Sequence, residues 1–243
     1  MKIVAIVQAR MGSTRFPGKV LKKIKNKPLI DYVIGRLKLS RSIDQIIIAT
    51  SIKSQDDLIV NYAKEKGIKF FRGSEEDVLS RYYNAAKENN ADVIVRITSD
   101  CPLIDPDIID DLIANHIKNK ADYTANIIKR TYPRGFDVEV FSIKSLIKSF
   151  DEADKKYYRE HVTPYIREHP EKFKLYNIEA GNKLRRPEIR ITVDTIEDFN
   201  LIGKIYENFD NIDFRAEEII DFLDKNPQLL KINKHVKQKG VLE

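Results

Sequence analysis

One cysteine, Cys101, is all that this 243-residue chain contains, which excludes an internal disulfide and any multi-cysteine metal site. Between Asp100 and Pro102 that thiol fits two readings: a nucleophile, or the small buried group beside a sheet edge that free cysteine usually is. Long apolar runs are also missing. None approaches the ~20 residues that span a bilayer, and the N-terminus lacks the apolar segment and small-residue cleavage site of a secretory signal. The expectation is a cytoplasmic protein without membrane insertion. Internal repeats and low-complexity stretches are absent, and 42% hydrophobic residues suffice for a full core in one domain over 1–243.

The net charge of +6 invites a nucleic-acid reading, so its distribution matters more than its total. Much of the excess sits in a basic C-terminal tail, 226–243, with Lys231, Lys234, Lys237 and Lys239, and in Lys22, Lys23, Lys25 and Lys27. Aromatics are not interleaved with these runs, and an RNP pair or paired zinc ligands are lacking. Nucleic acid is therefore not an expected partner.

What the chain does have is a short β-branched run, Lys2-Ile3-Val4-Ala5-Ile6-Val7, followed at once by Gln8-Ala9-Arg10-Met11-Gly12-Ser13-Thr14-Arg15-Phe16-Pro17-Gly18-Lys19. The run reads as a strand buried in a parallel sheet, and the loop leaves its carboxyl end, where open α/β sheets bind ligands. Gly12 and Gly18 permit backbone conformations that let N–H groups converge on an anion. Ser13 and Thr14 add neutral donors, and Arg10, Arg15 and Lys19 can offset the charge of a nucleoside triphosphate. The loop is neither a Walker loop nor a Gly-x-Gly-x-x-Gly turn. A solvated basic loop is the plain alternative.

Strand and helix patterns alternate through the first half, which argues for a three-layer α/β/α, doubly wound, mostly parallel sheet. Strands are expected at Gln45–Ala49, Ile68–Phe71 and Val93–Thr98. Helical stripes fall at Leu29 to Leu37, at Leu58, Ile59, Tyr62 and Ala63, and at Val78 to Ala86. Another helix opens at Asp105-Pro106, an N-cap followed by proline at the first position. Residues 123–180 break the rhythm, with short strands around two helices, and read as an inserted α+β lobe. A core-type strand is then expected at Ile189–Thr192, followed by helices carrying Leu201, Ile202 and Ile205, and Ala216 to Leu223.

Asp100 follows the strand ending at Thr98, so it and the first loop share one sheet edge. A carboxylate beside phosphates is repulsive unless a divalent cation lies between them, and magnesium (Mg2+) uses one or two carboxylates with phosphate oxygens and waters. Asp194 follows Ile189–Thr192 and can reach the same ion. The alternative for each aspartate is an N-cap or loop role.

The first loop, QARMGSTRFPGKVL, resembles the signature of the sugar-acid cytidylyltransferases, the 3-deoxy-manno-octulosonate and acylneuraminate enzymes, and in particular their relatives in spore coat polysaccharide biosynthesis. Further segments fit in the same order: Phe71 to Leu79, Arg96 to Ile104, Tyr132 to Glu139, Arg159 to Tyr165 and Arg190 to Asp198. The resemblance spans residues 1 to 207. It implies the nucleotide-diphospho-sugar transferase type of fold and transfer of CMP from CTP to a small acidic sugar, with pyrophosphate leaving. It also implies a nucleobase against Gln8-Ala9 and Arg72-Gly73-Ser74, and a lobe that faces the acceptor and helps form a homodimer. Arg134, Asp137, Glu139, Glu160 and His161 are the candidates for holding the acceptor; His161 can serve as a base or make a structural hydrogen bond.

Two departures stand out. The late motif of that family carries two aspartates around one residue, whereas Thr192-Val193-Asp194 keeps only the second, so a second metal ion is not expected. Cys101 stands where glutamate is common, which points to a different acceptor. A glycosyltransferase consuming a nucleotide sugar is the competing enzyme class, but Ser99-Asp100-Cys101-Pro102 is not its Asp-x-Asp motif. A non-catalytic nucleotide-binding module is the third reading.

Overall fold

The computed structural model describes residues 1–238; Lys239 and the rest of the basic tail's end lie outside the described residues. Strand β1, Ile3–Gln8, is buried on both faces: Val4 and Ile6 enter one hydrophobic cluster, Ala5 and Val7 the other. That two-sided burial is why the run lacks polar alternation. A two-residue hairpin follows, β2 (Lys23–Ile24) and β3 (Lys27–Pro28), then α1 (Leu29–Leu37), β4 (Gln45–Ser51), α2 (Asp57–Glu65), β5 (Lys69–Gly73), α3 (Val78–Glu88), β6 (Val93–Thr98) and α4 (Pro106–Asn119). Asp105 caps α4 as expected, accepting from Asp107 N and Ile108 N. The stripe on α2 is narrower than its pattern: Ile59, Tyr62 and Ala63 are buried, whereas Leu58 faces out.

The segment from 123 to 180 adds β7 (Tyr123–Ala125), β8 (Glu139–Ser142), α5 (Ile143–Glu152), α6 (Lys156–His161), α7 (Pro164–Glu168) and β9 (Leu175–Asn177). It has three helices where two were expected. The chain ends in α8 (Ile196–Asn208), α9 (Ala216–Lys225) and a short turn at Pro227–Lys231. The seven-stranded sheet has the order β5-β4-β1-β6-β8-β7-β9. Strands β5, β4, β1 and β6 are parallel, and β8 runs antiparallel beside β6. Helices α1, α2, α4, α8 and α9 pack on one face, and α3, α5, α6 and α7 on the other.

Chain direction across the sheet reverses at β1: β4 joins one side of it and β6 the other, with Gln8 beside both Ala49 and Thr98. The carboxyl ends of β1 and β6 are thus the switch point where such sheets bind ligands.

Ile189–Thr192 is not a sheet strand. It makes a single bridge, Arg134 to Arg190, with Arg134 N donating to Ile189 O at 2.9 Å and Ile191 N to Arg134 O at 2.8 Å. The facing segment turns immediately afterwards at Gly135, where φ is +119° and a Cβ would lie 2.6 Å from Ile191 O. The spacing of Ile189, Ile191 and Val193, all buried, gives the strand-like pattern without a ladder. Among the described residues no helix is long and apolar enough to cross a membrane.

Candidate active site

The loop after β1 folds back on itself. Met11 N donates to Asp56 Oδ1 at 2.7 Å, and Gly18 N donates to Met11 O at 3.0 Å. Gly18 has φ +68°, a left-handed conformation that glycine adopts without strain. Asp56, fully buried, also accepts from Ser51 N at 3.2 Å and from the Ser51 hydroxyl, tying the loop to the end of β4. This fold-back delivers Lys19 to the edge of the sheet.

There Lys19 Nζ lies 2.9 Å from Asp100 Oδ2, 2.9 Å from Asp194 Oδ1 and 2.6 Å from Val193 O. Asp100 comes directly from β6. Asp194 is brought in by docking of its segment on the β6 loop, Val193 N donating to Asp100 O at 2.8 Å and Thr192 Oγ1 to the same oxygen at 3.0 Å. Two more cations face Asp194: Arg15 Nη2 at 2.9 Å and Arg190 Nη2 at 2.8 Å, each on Oδ2. Arg190 is itself held by the buried Asp198.

Electrostatics follow from this crowding. Burial alone would raise the Asp194 carboxyl, but Lys19, with Arg190 and Arg15, outweighs it and lowers its pKa to about 2. Burial lowers an ammonium's pKa, yet Asp100 and Asp194 together raise that of Lys19 above its ordinary value. Lys19 is a permanent cation, not a base. All three of its N–H bonds meet these acceptors, so Lys19 holds two carboxylates on one point.

A cavity of about 670 Å³ opens over this cluster, within the range of small-molecule sites. Gln8, Ala9, Arg10, Ser13, Thr14, Arg15 and Lys19 form one wall, Thr98, Ser99, Asp100 and Asp194 the floor, and Val78 and Arg81 of α3 a side. Lys156, Tyr157, Glu160 and His161 of α6 face them. His161 ends α6 at a γ-turn in which Thr163 N donates to His161 O at 2.9 Å and the buried Val162 takes φ +72°. Such a φ is strained for a β-branched residue, and strain of this kind clusters where a neighbouring group is being positioned.

Several candidates lie elsewhere. Gly12 packs beside Gln55 and Glu75. Arg72, Gly73 and Ser74 do not line the cavity among the described residues: Arg72 Nε donates to Ser51 O at 3.0 Å and its Nη1 pairs with Asp57 at 2.7 Å, while Ser74 Oγ accepts from Asp77 N at 3.1 Å. Asp137 is taken by Arg130 through two contacts of 2.8 Å, and Arg134 contributes backbone to the bridge with Arg190. Glu139 is corrected outright as an acceptor ligand. Glu139 is 3% exposed, and its carboxylate pairs with Arg96 on the adjacent strand, with Tyr123 OH donating at 2.7 Å. Burial would raise its pKa, but Arg96 and Arg167 bring it below the usual range. Alternation on β8 turns Glu139 into the sheet's packed face instead of the cleft.

Cys101 is the buried thiol of the two readings. Burial, then Asp100, pushes its pKa up, and a protonated thiol is no nucleophile. The residues that the sequence did not single out are Asp56, Arg81, Lys156 and Tyr157. Each lies in an ordinary helical or turn pattern, and only the crossing of distant elements brings it to the cleft or to the loop that walls it.

A family model described as "Cytidylyltransferase" matches residues 4–236. An uncharacterized protein of Methanocaldococcus jannaschii is 46% identical over 100% of this chain and 99% of its own length. The spore coat polysaccharide biosynthesis protein SpsF of Bacillus subtilis is 38% identical over 93% of this chain and 95% of its own; 3-deoxy-manno-octulosonate cytidylyltransferases match at lower similarity. A solved cytidylyltransferase from Leptospira borgpetersenii superposes with a TM-score of 0.91 at 34% identity, covering 99% of each chain. The chain belongs to the cytidylyltransferase family.

Proposed function

We propose that the cleft binds CTP with a divalent cation and transfers CMP to a hydroxyl of a small acidic sugar, releasing pyrophosphate, in the synthesis of a surface polysaccharide. The observation that carries this reading is the convergence of Asp100 and Asp194, each 2.9 Å from one ammonium, beneath a wall that holds Arg10 and Arg15. The two carboxylates flank that ammonium, and with room beside them for phosphate oxygens and water they offer donors of the kind magnesium takes, one or two carboxylates completed by phosphate and water. When bound, that ion supplies charge neutralisation at the phosphates.

The protein's own groups do the rest. Arg10 and Arg15 offset triphosphate charge, and Ser13 and Thr14 add neutral donors; aimed cations at developing negative charge are the usual source of most acceleration in such transfers. The acceptor oxygen forms a bond to the α-phosphorus as the bond to the β-bridging oxygen breaks, and pyrophosphate carries the electron pair away. In this reading Lys156, Glu160 and His161, which line the same cavity, hold the acceptor, Lys156 suiting its carboxylate and His161 its hydroxyl proton.

The test is pyrophosphate release with CTP, magnesium and a panel of sugar acids, run alongside the other nucleoside triphosphates. Release dependent on CTP and one sugar acid supports the reading. Binding of CTP without turnover across the panel favours a nucleotide-binding module, and turnover of a nucleotide sugar without pyrophosphate favours glycosyl transfer; either result refutes it.

A further inference from the structure

We infer that the segment Asn233–Gln238 is a working part of the cleft: Asn233 and Gln238 are positioning residues that hold Arg190, and through it Asp194, in place for the transfer. This rests on the transfer reading above. Asn233 is 4% exposed, and its Nδ2 gives both hydrogens, to Asp198 Oδ1 at 2.8 Å and to Arg190 O at 3.0 Å. Asp198, fully buried, accepts Arg190 Nε at 2.9 Å on the same oxygen. Its other oxygen accepts Arg190 Nη2 at 2.8 Å, Asp194 N at 2.9 Å and Thr195 N at 3.2 Å. Among the described residues, every other donor on that carboxylate comes from 190–195, whereas Asn233 arrives from 35 positions further along. An aspartate at 233 would keep the shape but give no hydrogen, and it would set a second carboxylate against Asp198.

The segment carrying Asp194 makes one bridge and no ladder, so these side-chain ties, not a strand, set where Asp194 lies. Gln238 continues the same grip at the rim. It lines the cavity itself, and its Oε1 accepts from Arg190 Nη1. Each nitrogen of the Arg190 guanidinium thus has an acceptor, with Nη2 shared between Asp194 and Asp198, which fixes a planar fork in one orientation. Lys237 O comes within 3.5 Å of Arg15 Nη1. Both arginines that face Asp194 Oδ2 therefore meet the end of the chain. Had Asn233 served only to pin a tail, the contacts would stop at 233; instead they run on to the cleft.

Steady-state pyrophosphate release with CTP and a sugar acid tests this on full-length Asn233→Ala, Asn233→Asp, Gln238→Ala, Arg190→Met and the Arg190→Met, Gln238→Ala pair. Thermal melts and timed trypsin digestion run alongside. The Asn233 variants are expected to lower kcat roughly 10- to 100-fold, as loss of an outer support commonly does. Gln238, an exposed residue, is expected to lower kcat about fivefold as alanine, with an unchanged melting temperature and KM for the acceptor within about twofold of wild type. In the Arg190→Met background Gln238→Ala should change nothing further. The tie is mutual, so Arg190→Met and Gln238→Ala should each speed trypsin cleavage after Lys234 and Lys237 several-fold, a readout that needs no substrate. If the Asn233 variants fail to fold, Gln238→Ala decides. A kcat for Gln238→Ala within about twofold of wild type, an effect that persists without the Arg190 guanidinium, or tail cleavage at the wild-type rate overturns the inference. A wild-type protein that releases no pyrophosphate overturns the transfer reading, and this one with it.

Discussion

Replacing Lys19 by methionine keeps the length of the buried stem and removes only the ammonium. The oxygens it joins, Asp100 Oδ2 and Asp194 Oδ1, lie at most 5.8 Å apart, twice the 2.9 Å that separates each from Nζ. At an effective dielectric of about 20, two unit charges at that distance repel by about 3 kcal/mol. Both aspartate side chains are less than a third exposed, 25% and 15%, so solvent screens this only partly. Arg15 and Arg190 still face Asp194, which offsets some of the repulsion; the hydrogen bonds lost from Nζ act the other way. Removing one partner of a buried ion pair costs about 3–5 kcal/mol, and we expect Lys19→Met to fall in that range at neutral pH.

Urea unfolding across pH is the assay. The Asp194 carboxyl has its pKa lowered from 3.8 to about 2 in the folded protein. Its contribution to stability is therefore fully present above about 4 and is lost as the pH falls toward about 2. Lys19 is raised above 10.5, so its contribution is full below that value and is lost only as the pH climbs through the raised one. The gap between wild type and Lys19→Met should be widest at neutral pH and narrow on acidification from about 4 to about 2. Millimolar magnesium is expected to narrow it at neutral pH, since the paired carboxylates then accept a divalent ion. A difference below about 1 kcal/mol, or one that does not change with acidification, would refute the reasoning.

Asp100→Asn is expected to lower turnover roughly 30- to 1,000-fold, measured as pyrophosphate release, while the melting temperature stays close to wild type because Asp194 still pairs with Lys19. Gly135→Ala places a Cβ 2.6 Å from Ile191 O at φ +119°; chemical denaturation should show a loss of about 2 kcal/mol or more, and activity should fall with it because the displaced segment carries Asp194. Glu139→Gln leaves Arg96 as a poorly compensated buried charge and should cost about 3–5 kcal/mol. Its KM for the acceptor in the surviving folded enzyme should match that of wild type, and a KM rise of about tenfold would return Glu139 to the cleft.

Local pattern settled a good deal of this protein. The apolar run at Ile3–Val7 dictates a doubly buried strand, and the glycines and cations after it dictate a loop able to meet an anion at the strand's carboxyl end. Asp105-Pro106 marks the start of α4, because capping is a matter of neighbouring residues. The same locality explains the errors. Ile189, Ile191 and Val193 alternate like a strand, but only the packing at Gly135 decides that one bridge forms instead of a ladder. Glu139 sits in a motif, yet its burial against Arg96 depends on which strand lies beside β8. The site itself was decided by tertiary structure: Lys19 meets Asp100 across 81 residues of sequence and Asp194 across 175. Secondary structure responds to periodicity within a few residues, whereas a charged side chain's partner is chosen by the crossovers of the sheet and by the cost of leaving that charge buried alone.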